Sequence, residues 1–446
     1  MKKTKRINLS PMQIITAGFL GIVLLGTFLL CLPISSRSGE WTPFVNSMFT
    51  ATSATCVTGL ITYDTYTHWS MFGQCVIISL IQIGGLGFMS IITLFSFISR
   101  RRIGLWERKL IMQSAGSLQM TGVVRLMKKV LIGTLMFELS GAVLLSIRFI
   151  PRMGVVQGIL NGLFHSISAF CNAGFDLMGK YEPCSSMTEY VHDPVVNLTL
   201  SALIIIGGIG FIVWNDIYRH KFNFRKYELH SKIVLVTTAV LTVGGTALFW
   251  IFENDNTLAG MTVWQKFLAS LFQAVSPRTA GFNTVDLAEL SESGGLLTVI
   301  LMLIGGSPGS TAGGIKTTTF VVILVSTFAY AGRRDVNLFK RSISAENEHQ
   351  AHSIVTIYAV AILTATLMIC AIEPFSLREV LFEVSSAAST SGLTMGITSK
   401  LHTVSKLILI LLMYGGRVGG LTLAIVLTQR KRPVPIDKPT ENILIG

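Results

Sequence analysis

Four stretches of the chain share one pattern: FTATSATCVTGL from Phe49 to Leu60, FHSISAFCNAGF from Phe164 to Phe175, LFQAVSPRTAGF from Leu271 to Phe282, and FEVSSAASTSGL from Phe382 to Leu393. Each opens on an aromatic or a leucine, runs through small residues, and closes on glycine followed by a large apolar residue. The closing glycines, Gly59, Gly174, Gly281 and Gly392, stand 115, 107 and 111 positions apart. Glycine allows backbone dihedrals that side chains disfavour and lets neighbouring backbones approach closely. Four such turns meeting at one axis would present a ring of carbonyl oxygens, which replaces the hydration shell of a monovalent cation. Short helices leading into the turns would aim their partly negative C-terminal ends at the same axis. The chemistry expected is permeation, with no covalent step.

The elements that must hold these turns are membrane spans. Half of the 446 residues are hydrophobic, 13% are charged and the mean hydropathy is +0.61, which excludes an ordinary soluble enzyme. Apolar runs recur near residues 12–33, 71–98, 125–150, 196–218, 231–252, 296–330, 353–373 and 405–428. Most reach the roughly 20 residues that cross a bilayer. The first run is too long for a signal-peptide core and lacks a cleavage site, so it reads as a span. The small-residue stretches are too short to cross, and non-helical backbone at membrane depth survives only where protein buries it or water bathes it. They read as re-entrant helices.

A second glycine signal repeats in register. Downstream of each closing glycine, the next apolar run carries a pair: Gly84 and Gly85, Gly207 and Gly208, Gly305 and Gly306, Gly415 and Gly416. The expectation is an all-α integral membrane protein of four tandem repeats of span, pore helix, filter turn and span, forming a pseudo-fourfold pore with eight spans. The repeats cover residues 1–110, 111–228, 229–345 and 346–446.

The net charge of +13 invites a nucleic-acid reading, but its distribution argues otherwise. Basic clusters lie at residues 2–6, 100–109, 219–226, 333–341 and 430–432, all on one face if each pair of spans returns the chain to its starting side. The positive-inside rule makes that face cytoplasmic, together with both termini, in a cell (plasma or inner) membrane. Its basic loops then face lipid headgroups, or dock a partner. The six cysteines form no CxxC or CxxH pattern, and there is no HExxH, no GxSxG and no paired intramembrane carboxylate. No enzyme chemistry and no cofactor is expected.

Two features stand apart. IGGSPGSTAGGIK, from Ile304 to Lys316, interrupts an apolar run, and its five glycines and one proline would forfeit about 8 kcal/mol of helix propensity. The helix should break there, beneath the third turn, and project backbone into a pore. GSTAGGIKT approximates a phosphate-binding loop, but Ile315 separates Gly314 from Lys316 and no strand precedes it. Arg417 lies inside a span among Gly415, Gly416, Gly419 and Gly420. It either sets a fixed positive charge against cation flow or forms a structural salt bridge, with Glu138 or another buried acid as its partner. Arg278 reads as a brace behind the third turn. His165 and Glu383 read as buried hydrogen-bonding groups.

At the four turns the sequence resembles the superfamily of potassium transporters that includes the bacterial Trk and Ktr membrane subunits and the plant HKT proteins, with the Ktr membrane subunit fitting best. The resemblance implies a transported potassium ion, with a possible sodium effect, a homodimer, and a cytosolic nucleotide-binding ring of RCK-type subunits. It implies a filter at Val57, Thr58 and Gly59; Asn172, Ala173 and Gly174; Thr279, Ala280 and Gly281; and Thr390, Ser391 and Gly392. It also supports a gate built from Gly305, Gly306, Ser307, Pro308, Gly309, Ser310, Thr311, Ala312, Gly313 and Gly314, with Lys316 and Arg417. No turn reads TVGYG, so fewer ordered carbonyl layers and weaker rejection of sodium are expected. A sodium- or proton-coupled potassium symporter is the alternative function.

Overall fold

The computed structural model describes residues 11–87, 93, 104–114, 122–221, 223–333 and 335–419. Basic residues 2–6, 100–102, 334 and 430–432, and Gly420, lie outside the described residues.

The helices fall into four sets in chain order. The first holds α1 (Pro11–Cys31), α2 (Phe44–Cys56) and α3 (Met71–Leu86), followed by a connecting helix, α4 (Leu105–Ser114). The second holds α5 (Val123–Met153), α6 (Val155–Phe170), α7 (Pro194–Gly208) and α8 (Phe211–His220). The third holds α9 (Leu229–Glu253), α10 (Val263–Val275), α11 (Glu292–Leu303) and α12 (Thr317–Ala331). A small antiparallel hairpin, β1 (Asn337–Leu338) with β2 (Arg341–Ser342), leads to the fourth set: α13 (Ala345–Ile372), α14 (Leu377–Ser389) and α15 (Thr403–Val418).

Capping residues explain several of the boundaries. Thr262 with Gln265 and Ser376 with Glu379 close reciprocal capping boxes at the starts of α10 and α14. Asp193 accepts from Val195 N and Val196 N ahead of Pro194, which starts α7. Ser70 and Ser291 cap α3 and α11 in the same way.

Burial separates two kinds of helix. From Phe49 to Cys56 and from Phe382 to Ser389, every residue of α2 and α14 is buried. Their Ser, Thr and Ala side chains let other backbones pack close on all sides. The long helices instead expose apolar faces: Leu24, Leu25 and Phe28 on α1, Leu135 and Met136 on α5, Leu363 and Leu367 on α13. Apolar surface of that extent is what hydrocarbon solvates.

Among the described residues, four helices are long and apolar enough to cross a membrane: those over Met12–Cys31, Val123–Met153, Leu229–Glu253 and Ala345–Ile372. They are the leading helices of the four sets. The pair α7 and α8 adds a fifth if counted as one span, although it bends by 94° at Ile209 and Gly210. That bend departs from the expected straight run over 196–218. Its cause is the Gly207, Gly208 and Gly210 cluster, with Gly210 at φ +94°. The other following helices are short, with 16 residues in α3, 12 in α11 and 16 in α15, and the apolar runs after α3 and α15 leave the described residues.

Candidate functional site

The four glycine turns share one backbone conformation. The first residue of each triad is left-handed: Val57 at φ 58°, Asn172 at 59°, Thr279 at 72° and Thr390 at 55°. The glycine is left-handed too, at 98°, 70°, 81° and 86° for Gly59, Gly174, Gly281 and Gly392, while the residue between them is not. Alternating handedness aligns successive peptide groups, so that N–H groups face one side and carbonyls the other. Each non-glycine residue there pays about 1–2 kcal/mol for its left-handed backbone.

Hydrogen bonds to the preceding helix hold that geometry. The middle N–H of a turn returns to a carbonyl five residues upstream: Thr58 to Ser53, Ala173 to Ser168 and Ser391 to Ser386, each at 2.8 Å. The third turn is one residue tighter, with Ala280 N bonding Ser276 O at 2.9 Å. Serine hydroxyls brace the far side. Gly59 N donates to Ser53 Oγ at 3.0 Å, Ser168 Oγ donates to Phe175 O at 2.7 Å, and Ser276 Oγ donates to Phe282 O.

The turns close on one another. A side chain at Gly59 would lie 2.6 Å from Ala173 O, one at Gly174 would lie 2.8 Å from Ala280 O, and one at Gly281 would lie 2.7 Å from Ser391 O. A side chain at Gly392 would strike Thr58 O, which completes a ring in chain order. Asn172 Nδ2 to Thr279 Oγ1 at 3.4 Å and Ser391 Oγ to Pro277 O at 2.8 Å add cross-links. All twelve triad residues therefore sit together. The buried oxygens Thr55 Oγ1, Thr58 Oγ1, Asn172 Oδ1 and Thr390 Oγ1 have no protein hydrogen-bond partner.

Beneath this ring, the glycine pairs bring each following helix against the end of its own short helix. A side chain at Gly84 would strike Thr55 O, one at Gly207 would strike Phe170 O, and one at Gly416 would strike Ala388 O. Each of those carbonyls lies four residues before the closing glycine of its turn. The third pair differs: Gly305 packs on Gly313 and Gly314 of its own loop.

That loop is the break between α11 and α12. Gly305 N bonds Ile315 O at 2.9 Å and Thr317 N bonds Gly306 O at 3.0 Å, so the loop leaves and rejoins the helix line at one point. Its far end is anchored on the second set, by Ser307 N to Gly208 O at 2.9 Å, Phe211 N to Gly309 O at 2.8 Å and Thr311 Oγ1 to Phe170 O at 3.2 Å. Gly313 and Gly314 lie beneath the fourth turn, against Ser389 O and Thr390. Lys316 Nζ donates back into the loop, to Ala312 O at 2.6 Å and Gly313 O at 3.3 Å.

Arg417 joins three sets. Its guanidinium donates to Thr311 O in the loop, to Gly84 O, and to Gly85 O at 3.0 Å. Its acceptors are backbone carbonyls. Glu138, the acid proposed for it, instead accepts from Gln82 Nε2 at 3.2 Å and lies beside Cys171 Sγ.

The remaining polar residues are buried braces. Arg278 Nη2 reaches Thr238 Oγ1 on α9 at 3.4 Å, beside a cavity of about 10 Å³ that Gly306 also lines. His165 Nδ1 faces Asn161 O at 2.8 Å and must carry the proton there, so Nε2 accepts from Leu177 N at 3.2 Å. Glu383 accepts from Thr398 Oγ1.

Sequence reasoning missed the left-handed first residues, the tighter third turn and the bend in the second set. Pro277 and the one-place shift of Ser276 were the available signals for the tighter turn. The bend was signalled by IGGIGF, which resembles the third set's break.

The TrkH family profile, described as a cation transport protein, matches residues 9–433. The chain belongs to the TrkH cation transport family. The family is one of ion transporters, not of enzymes. Among relatives of this TrkH-family chain, the potassium/sodium uptake protein NtpJ of Enterococcus hirae is 41% identical over 454 residues, covering 100% of this chain and 99% of that one. The Ktr system potassium uptake protein B of Bacillus subtilis is 41% identical over 427 residues, covering 94% of each. The crystal structure of the potassium transporter TrkH from Vibrio parahaemolyticus superimposes with a TM-score of 0.74 at 18% identity, over 96% of this chain and 87% of that one. That likeness establishes a shared fold.

Proposed function

We propose that this chain conducts potassium ions across the cell membrane through the axis enclosed by its four glycine turns. In this reading the four sets are repeats over residues 1–110, 111–228, 229–345 and 346–446, eight spans in all, around a pseudo-fourfold pore with both termini cytoplasmic. The observation that carries it is the closed ring in which each turn's glycine packs on a carbonyl of the next. Alternating handedness directs carbonyls to one side, and hydroxyl oxygens without protein donors lie among them, as a dehydrated monovalent cation requires. The uptake functions named for two relatives at 41% identity point to the same ion, and one of those names adds sodium.

Loop 305–314, with Lys316 and Arg417, is the gate in this reading. The loop crosses beneath the turns; Arg417 fastens it to the first and fourth sets through carbonyl oxygens, and Lys316 folds it back onto its own carbonyls. Opening requires those bonds to break, a task suited to a cytosolic RCK-type ring pulling on the cytoplasmic helices of a homodimer. The test is growth of a potassium-uptake-deficient cell at low external potassium, with and without a cytosolic partner subunit, together with potassium flux into vesicles. Restored growth and potassium-selective flux support the reading. Failure of both, with folded protein in the membrane, defeats it.

A further inference from the structure

One face of α5 has the outline of a lipid. Arg125, Lys129, Ile132, Met136, Leu139 and Val143 follow one another in steps of four and three, so they share a face of the helix, and all are exposed. Two cations are thus continued directly by a run of apolar side chains. At the far end of the span stands Arg148, paired with Asp193 at 2.7 Å. Lys129 and Arg148 are 19 residues apart, ~28 Å of helix, which matches the roughly 30 Å of bilayer hydrocarbon. Between them Glu138 is the sole charged residue, and it is buried. Lys129 therefore lies where hydrocarbon gives way to headgroups, at the depth of lipid phosphate and not of a soluble protein partner.

The positive charge at that level has no protein counter-charge. Among the described residues neither Arg125 nor Lys129 has an ion pair. No side chain caps α5 and no acid lies in its first turn, so the positive end of the helix adds to the two cations. The acid of α8, Asp216, is buried and already accepts from His220 Nδ1 at 2.8 Å and Glu228 N at 2.9 Å. Lys129 is also held in position. Its Nζ donates to Asn215 Oδ1 at 3.3 Å and sits 4.5 Å from the centre of the Tyr218 ring, an exposed aromatic of the kind that marks the headgroup level. An ammonium has three donors, so two remain for a ligand. We propose that Arg125 and Lys129, with Tyr218 beside them, bind the headgroup of an anionic phospholipid whose acyl chains lie along Ile132, Met136 and Leu139. Trp214 of α8 packs on Phe137 of α5 with ring centres 5.3 Å apart, and Phe211 N of α8 anchors the loop at Gly309 O, so a lipid bridging α5 and α8 steadies the helix that holds the loop. The site rests on α5 facing the bilayer, not on the pore.

The test uses the purified full-length protein and reads lipid binding without measuring transport. Native mass spectrometry from equal mixtures of phosphatidylglycerol and phosphatidylcholine should show phosphatidylglycerol retained in preference. Arg125→Gln and Lys129→Gln should each lower that preference about fivefold, and Lys129→Arg should keep it. Lys340→Gln, on the hairpin between the third and fourth sets, should leave it unchanged. In the unmutated protein, nanodiscs of phosphatidylglycerol should slow amide hydrogen exchange across residues 211–220 relative to nanodiscs of phosphatidylcholine, a readout that survives if a variant fails to fold. The proposal is overturned if the two lipids are retained equally, if both α5 glutamine variants keep the parent's preference, if Lys340→Gln loses as much as they do, or if exchange at 211–220 is the same in both bilayers.

Discussion

The guanidinium of Arg417 donates to the carbonyl oxygen of Thr311, so the last described helix is fastened directly to the loop that interrupts the third set. The same side chain holds Gly84 O and Gly85 O, which places a full positive charge on backbone alone. A charge about 4 Å from a passing cation opposes it by ~4 kcal/mol at an effective dielectric near 20. Arg417→Gln should therefore raise potassium flux per folded protein at least tenfold, and Arg417→Lys, which keeps the charge but loses the fork, should fall between. Each hydrogen bond from a charged donor contributes about 1.5–3 kcal/mol, so the melting temperature should drop as flux rises. Flux into vesicles beside thermal melting decides it; a glutamine variant that is folded and no more active than the parent removes Arg417 from the gate.

Lys316 offers a milder loosening of the same loop. Its ammonium holds Ala312 O and Gly313 O from the base of α12. Lys316→Met keeps the stem's packing and deletes both bonds, so, if the loop is the proposed gate, it should leave its observed position more often. An increase in flux of up to about tenfold is expected, since 1.4 kcal/mol of lost anchoring shifts the population that far. Unaltered flux in a stable variant would mean the loop is held by its backbone bonds to the second set.

The ring makes its own demand on selectivity. Gly392 is at φ +86° and abuts Thr58 O, so an alanine there meets both a disfavoured conformation and a carbonyl of the first turn. Gly392→Ala should push that carbonyl aside and lower discrimination of potassium from sodium, with about 1–2 kcal/mol lost to the left-handed backbone. Gly59→Ser should act in the same direction through Ala173 O. Reversal potentials in mixed potassium and sodium solutions measure it, and a permeability ratio equal to the parent's counts against a filter at these residues.

Much of this arrangement was legible because it depends on residue type at fixed spacing. Small residues before a glycine identify a short helix and a turn, and a glycine pair downstream identifies where the next helix must pass close. The break from Ile304 to Lys316 was legible for the same reason, since glycine and proline act locally. Partners distant in sequence were not legible. That Arg417 selects the carbonyls of Thr311 and Gly84 over the carboxylate of Glu138 depends on where three sets of helices meet. Val57 and Thr390 are β-branched residues that composition assigns to anything but a left-handed backbone, and they adopt it only because the ring over-determines it.

The connections that follow the turns carry a pH dependence. Asp176, two residues beyond Gly174, is partly buried; burial, with the nearby Asp64 carboxylate adding to it and a hydrogen bond from Met178 N opposing it, pushes its pKa up from 3.8 to about 7. Asp64 itself accepts from Tyr66 N, Thr67 N and Cys184 N, which ties the connection after the first turn to the one after the second. A carboxyl whose pKa is raised on folding binds more protons in the folded state between the two values, so stability falls as pH rises through that window. The contribution is most favourable below about pH 4 and fully lost above about pH 7. Asp176→Asn removes the titration, so its melting temperature should exceed the parent's by roughly a few degrees at pH 8 and converge towards it at pH 5. Melting curves of both proteins across pH 5 to 8 give the answer: parallel pH profiles would show that Asp176 is not the group responsible.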